Sequence, residues 1–355
     1  NNGKELLMDK SFKYLIPAFM AFTLASCGGS SSSKSESADY SGKTSPASFD
    51  SLNEDQKQAV GKDSATVIYE AANFSDADGM IGDFPSAAEV QSGSALQDKA
   101  KSILTEAFAK AKQAKAQDST LSQLPVAATE IHNEKCSDGG TTSITMDFNE
   151  NTNSSVITLT DKNCKEVDFD DSYYLTNGTV VITSVYSETA GKVRIEFKNF
   201  TDEEFYDGKK ETSTINGFYQ VSGLSFIDDD DELYLDGIAY KAEWNLYGTI
   251  NGKPVSTKGS MNCDVNGCTV GTTVQTEDGK TYKVEDFKIT EGYPTTVLGK
   301  IYHPDHGYYN FTASIEEMCY DDEKSPFIGE ATFTDGTYEI KYTSSSCFAT
   351  PIIDY

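Results

Sequence analysis

From about Val126 to Tyr355, apolar and polar residues alternate one for one. The pattern is clearest in Ile144-Met146-Phe148, Val193-Ile195-Phe197 and Ile238-Tyr240-Ala242-Trp244-Leu246. A period of two puts successive side chains on opposite faces of a strand, so each segment has one face to bury and one for water. Between these segments stand Asn177-Gly178, Asp207-Gly208, Asn251-Gly252, Asn266-Gly267, Asp278-Gly279 and Asp335-Gly336. Such pairs tolerate positive φ and match the twist of a tight hairpin. No helical segment long enough for a parallel crossover intervenes. The chain is therefore expected to be mainly β. Residues 126–355 should form a large antiparallel meander sheet of about a dozen strands, a half-barrel or a sandwich.

Residues 51–125 have a different texture and predict a small helical segment of two helices packed on the sheet. Ser51-Leu52-Asn53-Glu54 reads as a capping box opening a helix to about Ala72, weakened by Gly61. Asp76 to Pro85 is a loop. Leu96, Ala100, Ile103, Leu104, Ala107, Phe108 and Ala111 then recur at helical spacing and predict a second helix over 94–116. Upstream, residues 27–50 are rich in serine and glycine and should form a flexible tether.

What the tether holds is written at the other end. Lys10 and Lys13 precede an apolar run from Tyr14 to Ala25, too short to span a bilayer, and Leu24-Ala25-Ser26-Cys27 follows. This order of charge, apolar core and small residues before a cysteine resembles the lipobox of bacterial lipoproteins. The resemblance implies that residues 1–26 are a signal peptide, with Met8 the start and 1–7 an untranslated stretch excluded from the fold. It also implies that Cys27 becomes the N-terminus and carries the acyl chains, palmitate among them, that anchor the protein in a membrane. Several chains on one residue give stable anchoring. Gly28, where an aspartate would retain the protein in the inner membrane, points to the outer membrane, on its periplasmic face or at the cell surface. The segment GKIYHPDHGYYNFT, residues 299–312, resembles parts of uncharacterised secreted or lipid-anchored Gram-negative β proteins, and brings no activity with it.

Charge and cysteines narrow the partners. With 29 Lys and Arg against 56 Asp and Glu, the net charge is −27. Phosphate backbones repel such a chain, so nucleic acid is excluded as a partner. Six cysteines follow Cys27, an even number in a chain bound for the envelope, which makes disulfides the expected state. Proximity pairs Cys136 with Cys164, Cys263 with Cys268 and Cys319 with Cys347. No C-x-x-C spacing supports zinc.

Metal and catalytic motifs are sparse. Asp228, Asp229 and Asp230, in an acidic run to Glu232, offer oxygen ligands, and His303-Pro304-Asp305-His306 offers nitrogens beside the acidic Asp321-Asp322-Glu323. The first reads as a solvated loop and the second as a turn, and neither makes a complete site. Asp76 to Ile81 echoes a calcium loop, but Phe74 and Pro85 stand where its end ligands belong. No nucleophile motif accompanies His132. The expected function is therefore non-catalytic, without cofactor: a tethered domain with a structural or binding role, its ligand a glycan, a lipid or an envelope protein. Tyr302, Tyr308, Tyr309 and the single Trp are the residues for a glycan. The alternative is a lipid or lipoprotein carrier with an apolar cavity under a curved sheet, capped by the helix at 94–116. A filled or hollow concave face separates the two.

Overall fold

The computed structural model describes residues 37–74, 128–149, 154–167, 172–185, 191–206, 208–224, 239–264, 267–276, 278–290, 293–319 and 324–355. Helix α1 (Glu54–Phe74) comes first, followed by β1 (Ala128–Lys135), β2 (Thr141–Asn149), β3 (Ser154–Val167), β4 (Tyr173–Val185) and β5 (Gly191–Tyr206). Next are β6 (Lys209–Leu224), β7 (Tyr240–Ile250), β8 (Lys253–Asp264), β9 (Gly267–Gln275) and β10 (Thr281–Thr290). The last five are β11 (Thr295–His303), β12 (Gly307–Met318), β13 (Phe327–Thr334), β14 (Glu339–Ser344) and β15 (Ile352–Asp354).

Every strand pairs antiparallel with its neighbours in sequence, giving one fifteen-stranded sheet in the order of the chain. This is the expected meander. It is a single open sheet, with β1 and β15 as its edges. The alternation of the sequence is the alternation of burial: Ala242, Trp244, Leu246 and Ile250 of β7 point inward, and Lys241 and Glu243 point to water.

Two Asn-Gly pairs do something other than turn the chain. Asn177-Gly178 lies inside β4, not in a hairpin. Asn163 in β3 and Asn199 in β5 adopt left-handed backbone, φ 48° each, at bulges that shift the ladder between Asp161 and Cys164 and between Phe197 and Phe200. Each bulge is met by an Asn-Gly on the following strand. Asn163 N–H donates to Asn177 Oδ1 at 2.7 Å, and Asn199 N–H to Asn216 Oδ1 at 2.8 Å. The glycines beside these acceptors, Gly178 and Gly217, have φ of 113° and 104°. A Cβ on them would sit 2.4 Å from Asn199 O and 1.8 Å from Asn245 O. Bulges bend a strand and increase its twist, so this line of asparagines and glycines curves the sheet.

α1 lies on the inner face against β9, β10, β13, β14 and β15. Its buried stripe is Val60, Ser64, Ala65, Val67, Ile68 and Ala71. The capping box sits two residues later than the sequence predicts. Gln56 N–H donates to Asn53 Oδ1 at 2.9 Å, and Asn53 N–H to Gln56 Oε1 at 3.0 Å. Ser51 instead closes a 3₁₀ turn over Phe49–Ser51, because Phe49 is drawn wholly into the core against Tyr309. Gly61 also permits a close approach to the C-terminal strand: a Cβ there would stand 2.9 Å from Ile353 Cγ2. The second expected helix, over 94–116, lies outside the described residues.

The expected tether is also shorter than predicted, since residues 37–50 are docked along the sheet. Ala38 N–H donates to Ser256 Oγ, Tyr40 OH donates to Lys43 O and His303 O, and Lys43 N–H donates to Pro304 O. Pro46 then forms a parallel bridge to Tyr308, with Ala47 N–H on Tyr308 O and Tyr308 N–H on Ser45 O. Phe49 N–H ends the strap on Asp335 Oδ2 at 2.6 Å. Composition suggested disorder. Backbone pairing to β12 and the burial of Phe49 outweigh it.

The bulge glycines give the first prediction. Gly178→Ala and Gly217→Ala must relieve both a positive φ and a clash with backbone, and each should destabilise by about 3 kcal/mol or more. Gly252→Ala, at a turn with open space around it, should cost about 1 kcal/mol. Urea denaturation of the three variants checks the contrast, and equal losses would refute the bulge's structural role.

Candidate functional site

Two of the chain's three histidines, His303 and His306, share a polar cluster with Asp63 under α1. Asp63, on the sheet-facing side of the helix, accepts from Tyr282 OH at 2.8 Å and from Lys280 Nζ at 3.0 Å, both through Oδ2. His303, 1 % exposed, brings Nε2 to 3.6 Å from the same oxygen. Its Nδ1 accepts Asp305 N–H at 3.1 Å, so a neutral ring carries its proton on Nε2, which has no hydrogen-bond partner among the described residues. The ring stands edge-on to Tyr282, with centroids 5.2 Å apart, and 4.5 Å from that of His306. At the next residue of α1, Ser64 Oγ donates to Val60 O and meets Tyr309 OH at 2.6 Å.

The electrostatics follow from burial and donors. Burial is the largest influence on Asp63 and pushes its pKa up. The imidazole of His303, the Tyr282 hydroxyl and the Lys280 ammonium outweigh it, and hold the carboxyl at about 2. Burial and then the Asp63 charge push Tyr282 upward, and burial pushes Tyr309 upward. His306 is lowered, by burial first and then by His303. A carboxylate with two engaged donors, beneath buried rings, is a clasp between helix and sheet.

Of the candidate metal ligands, His303 and His306 lie side by side, with ring centroids 4.5 Å apart. His303 turns one nitrogen to its own turn and the other to Asp63, while Asp228, Asp229 and Asp230, the Asp321-Asp322-Glu323 run and Asp76 to Ile81 lie outside the described residues. Among the described residues, Cys136, Cys164 and Glu166 are the group of three with ligand spacing, and both sulfurs are bonded to each other. The three disulfides are those expected, Cys136–Cys164, Cys263–Cys268 and Cys319–Cys347. Cys263 and Cys268 are register partners with Cα atoms 4.1 Å apart, near the spacing of a narrow rung. Cys27 lies outside the described residues.

The aromatic residues divide by strand parity. Trp244 and Tyr309 are buried, and Tyr302 and Tyr308 face outward in register. Tyr302 packs between Tyr40 and Tyr308, with centroids at 5.9 and 5.4 Å. Lys283 and Lys300 lie over the rings of Tyr302 and Tyr308, and Tyr302 OH donates to Glu285 at 2.7 Å. These rings are tilted against each other by 67° and 46° and form no flat platform.

Sequence reasoning missed Asp63, Lys280 and Tyr282. The signal was there in parity: Lys280 shares its side of the sheet with Tyr282 and Val284, and Asp63 interrupts a stripe otherwise made of small and apolar residues. No protein-family model, curated protein or solved structure matches the chain.

The clasp makes stability depend on acid. Asp63 titrates below its ordinary 3.8 in the fold, so its contribution is complete above about pH 4 and disappears as the pH falls towards 2. It amounts to at most about 2 kcal/mol, and less after screening, because a quarter of the side chain is exposed. Asp63→Asn should therefore be less stable at neutral pH, and its denaturation midpoint should fall less steeply between pH 4 and 2 than that of the wild type. Parallel curves would show that the clasp contributes nothing.

Proposed function

We propose that this protein is a lipid-anchored envelope protein of the outer membrane, and that its β domain has a non-catalytic structural or binding role. The observation that carries the reading is the state of the inner face. Over β9–β15 it is occupied by α1 and by Phe49, Tyr309, Phe311, Phe333 and Tyr342, packed as one core. A carrier of lipid needs an apolar space there that its cargo can enter. The polar cluster at this interface supports the same reading, since its carboxylate, Asp63, already holds the Tyr282 hydroxyl and the Lys280 ammonium beneath the helix. The lipobox-like Leu24 to Cys27 supplies the anchor. The docked strap then limits the reach of the domain: nine residues lie between Cys27 and Ser37, and the ten Cα–Cα steps span at most about 35 Å.

Cys27→Ser tests the anchor. The variant should lose palmitate labelling and move to the soluble fraction at high salt, and a variant still on membranes under those conditions refutes the anchor. Mass spectrometry of the soluble variant tests the role. Stoichiometric co-purified lipid would favour a carrier over the filled core proposed here.

A further inference from the structure

A groove of about 500 Å³ opens between α1 and the chain flanking β13 and β15. That volume is within the range of small-molecule sites. Its walls are held in place independently of any ligand. Tyr69 OH donates to Cys319 O at 2.8 Å, the Cys319–Cys347 disulfide ties the two flanking segments, and Lys324 and Ser325 N–H both donate to Cys347 O. Ser325 Oγ is engaged with Phe327 O and Tyr342 OH.

The lining is of two kinds. Pro326, Pro351 and Ile353 supply apolar surface. Gln58 and Lys62 on α1, with Lys324 and Thr350 opposite, supply donors. In the clasp and in the outer aromatic row the lysines already meet carboxylates, as Lys280 meets Asp63 and Lys283 meets Glu285. Lys62 and Lys324 form no ion pair among the described residues. Among the described residues that line the groove, the carboxylate is Glu70, about 12 Å further along the helix from Lys62.

We propose that this groove binds a phosphate group, carried by a small molecule or by a lipid headgroup. Lys62 and Lys324 would supply charge, Gln58 and Thr350 hydrogen bonds, and Pro326, Pro351 and Ile353 contact with the carbon part. Lysine is a compact point charge with rotatable donors, which suits a tetrahedral anion approached from several sides. A planar carboxylate is matched better by the fork of arginine. The net charge of −27 sharpens the case, because the general field of the protein repels anions and gives diffuse binding no help. The inference is independent of the membrane anchor.

The test uses the purified full chain in mild detergent, titrated with glycerol 1-phosphate and with inorganic phosphate at constant ionic strength, and followed by ³¹P linewidth. Saturable binding is expected, weakened about tenfold by Lys62→Gln and by Lys324→Gln. Both positions are exposed, so the fold should persist, which circular dichroism checks. Lys283→Gln, on the outer face, should bind like the wild type. A second arm presents phosphatidylglycerol and phosphatidylcholine vesicles to the soluble Cys27→Ser protein. Preference for the anionic vesicles that both lysine variants abolish, without binding of the soluble probes, assigns the site to a headgroup. No binding in either arm, or binding that neither lysine variant alters, overturns the proposal.

Discussion

An open sheet must have its apolar face covered, and in the second half of this sheet that requirement organises everything else. β9 to β15 present Val270, Val284, Phe287, Ile301, Phe311, Phe333 and Ile340 to one side. A closed barrel would cover such a face by wrapping. Here β1 and β15 do not meet, and α1 lies across the strands instead. Burying these side chains is worth about 1.5–3 kcal/mol each, and the docking of the helix supplies cover over β9, β10 and β13 to β15. The strap serves the same end, since it delivers Phe49 beneath Tyr309 and closes the core at the margin where β13 ends.

The composition of the helix explains why a charged group sits in that interface. Val60, Ala65, Val67 and Ala71 are small, and a small-residue stripe can settle on an apolar sheet in several rotations. Asp63 can meet both Tyr282 and Lys280 in only one of them. A partly buried ion pair adds little net stability, because desolvation offsets most of its attraction. Its effect here is to select one orientation of the helix. That orientation faces Gln58, Lys62 and Thr66 toward the C-terminal segment and so forms one wall of the groove.

Much of the sheet was legible because period two is a local property. Alternation named the buried faces, and Asn251-Gly252, Asp278-Gly279 and Asp335-Gly336 marked real turns. Asn177-Gly178 misled, because a positive φ suits a bulge as well as a turn, and only the partner strand decides which. Asn163 and Asn199, which require that partner, carry no turn signal of their own. The three disulfides were readable because each closes a local loop, with separations of 28, 5 and 28 residues. The strap was not, since serine-rich composition reports a lack of core-forming side chains and says nothing of backbone hydrogen bonds to a distant strand. The clasp joins residues 217 and more positions apart, and no local pattern reaches that far.

The same contrast bears on how the molecule assembles. Every rung of the sheet joins strands adjacent in sequence, so the meander can grow hairpin by hairpin with little loop-closure entropy at each step. α1 is different. It precedes the sheet in the chain and packs against the last strands to be made, so its contacts have the largest sequence separation in the structure. Until β9 to β15 exist, the helix has no apolar face to bury against, and its own Gly61 and β-branched residues make it a poor helix in isolation. Its folding therefore depends on the sheet. The strap, the clasp and the groove wall, all carried by the chain around α1, form together with it as the final step.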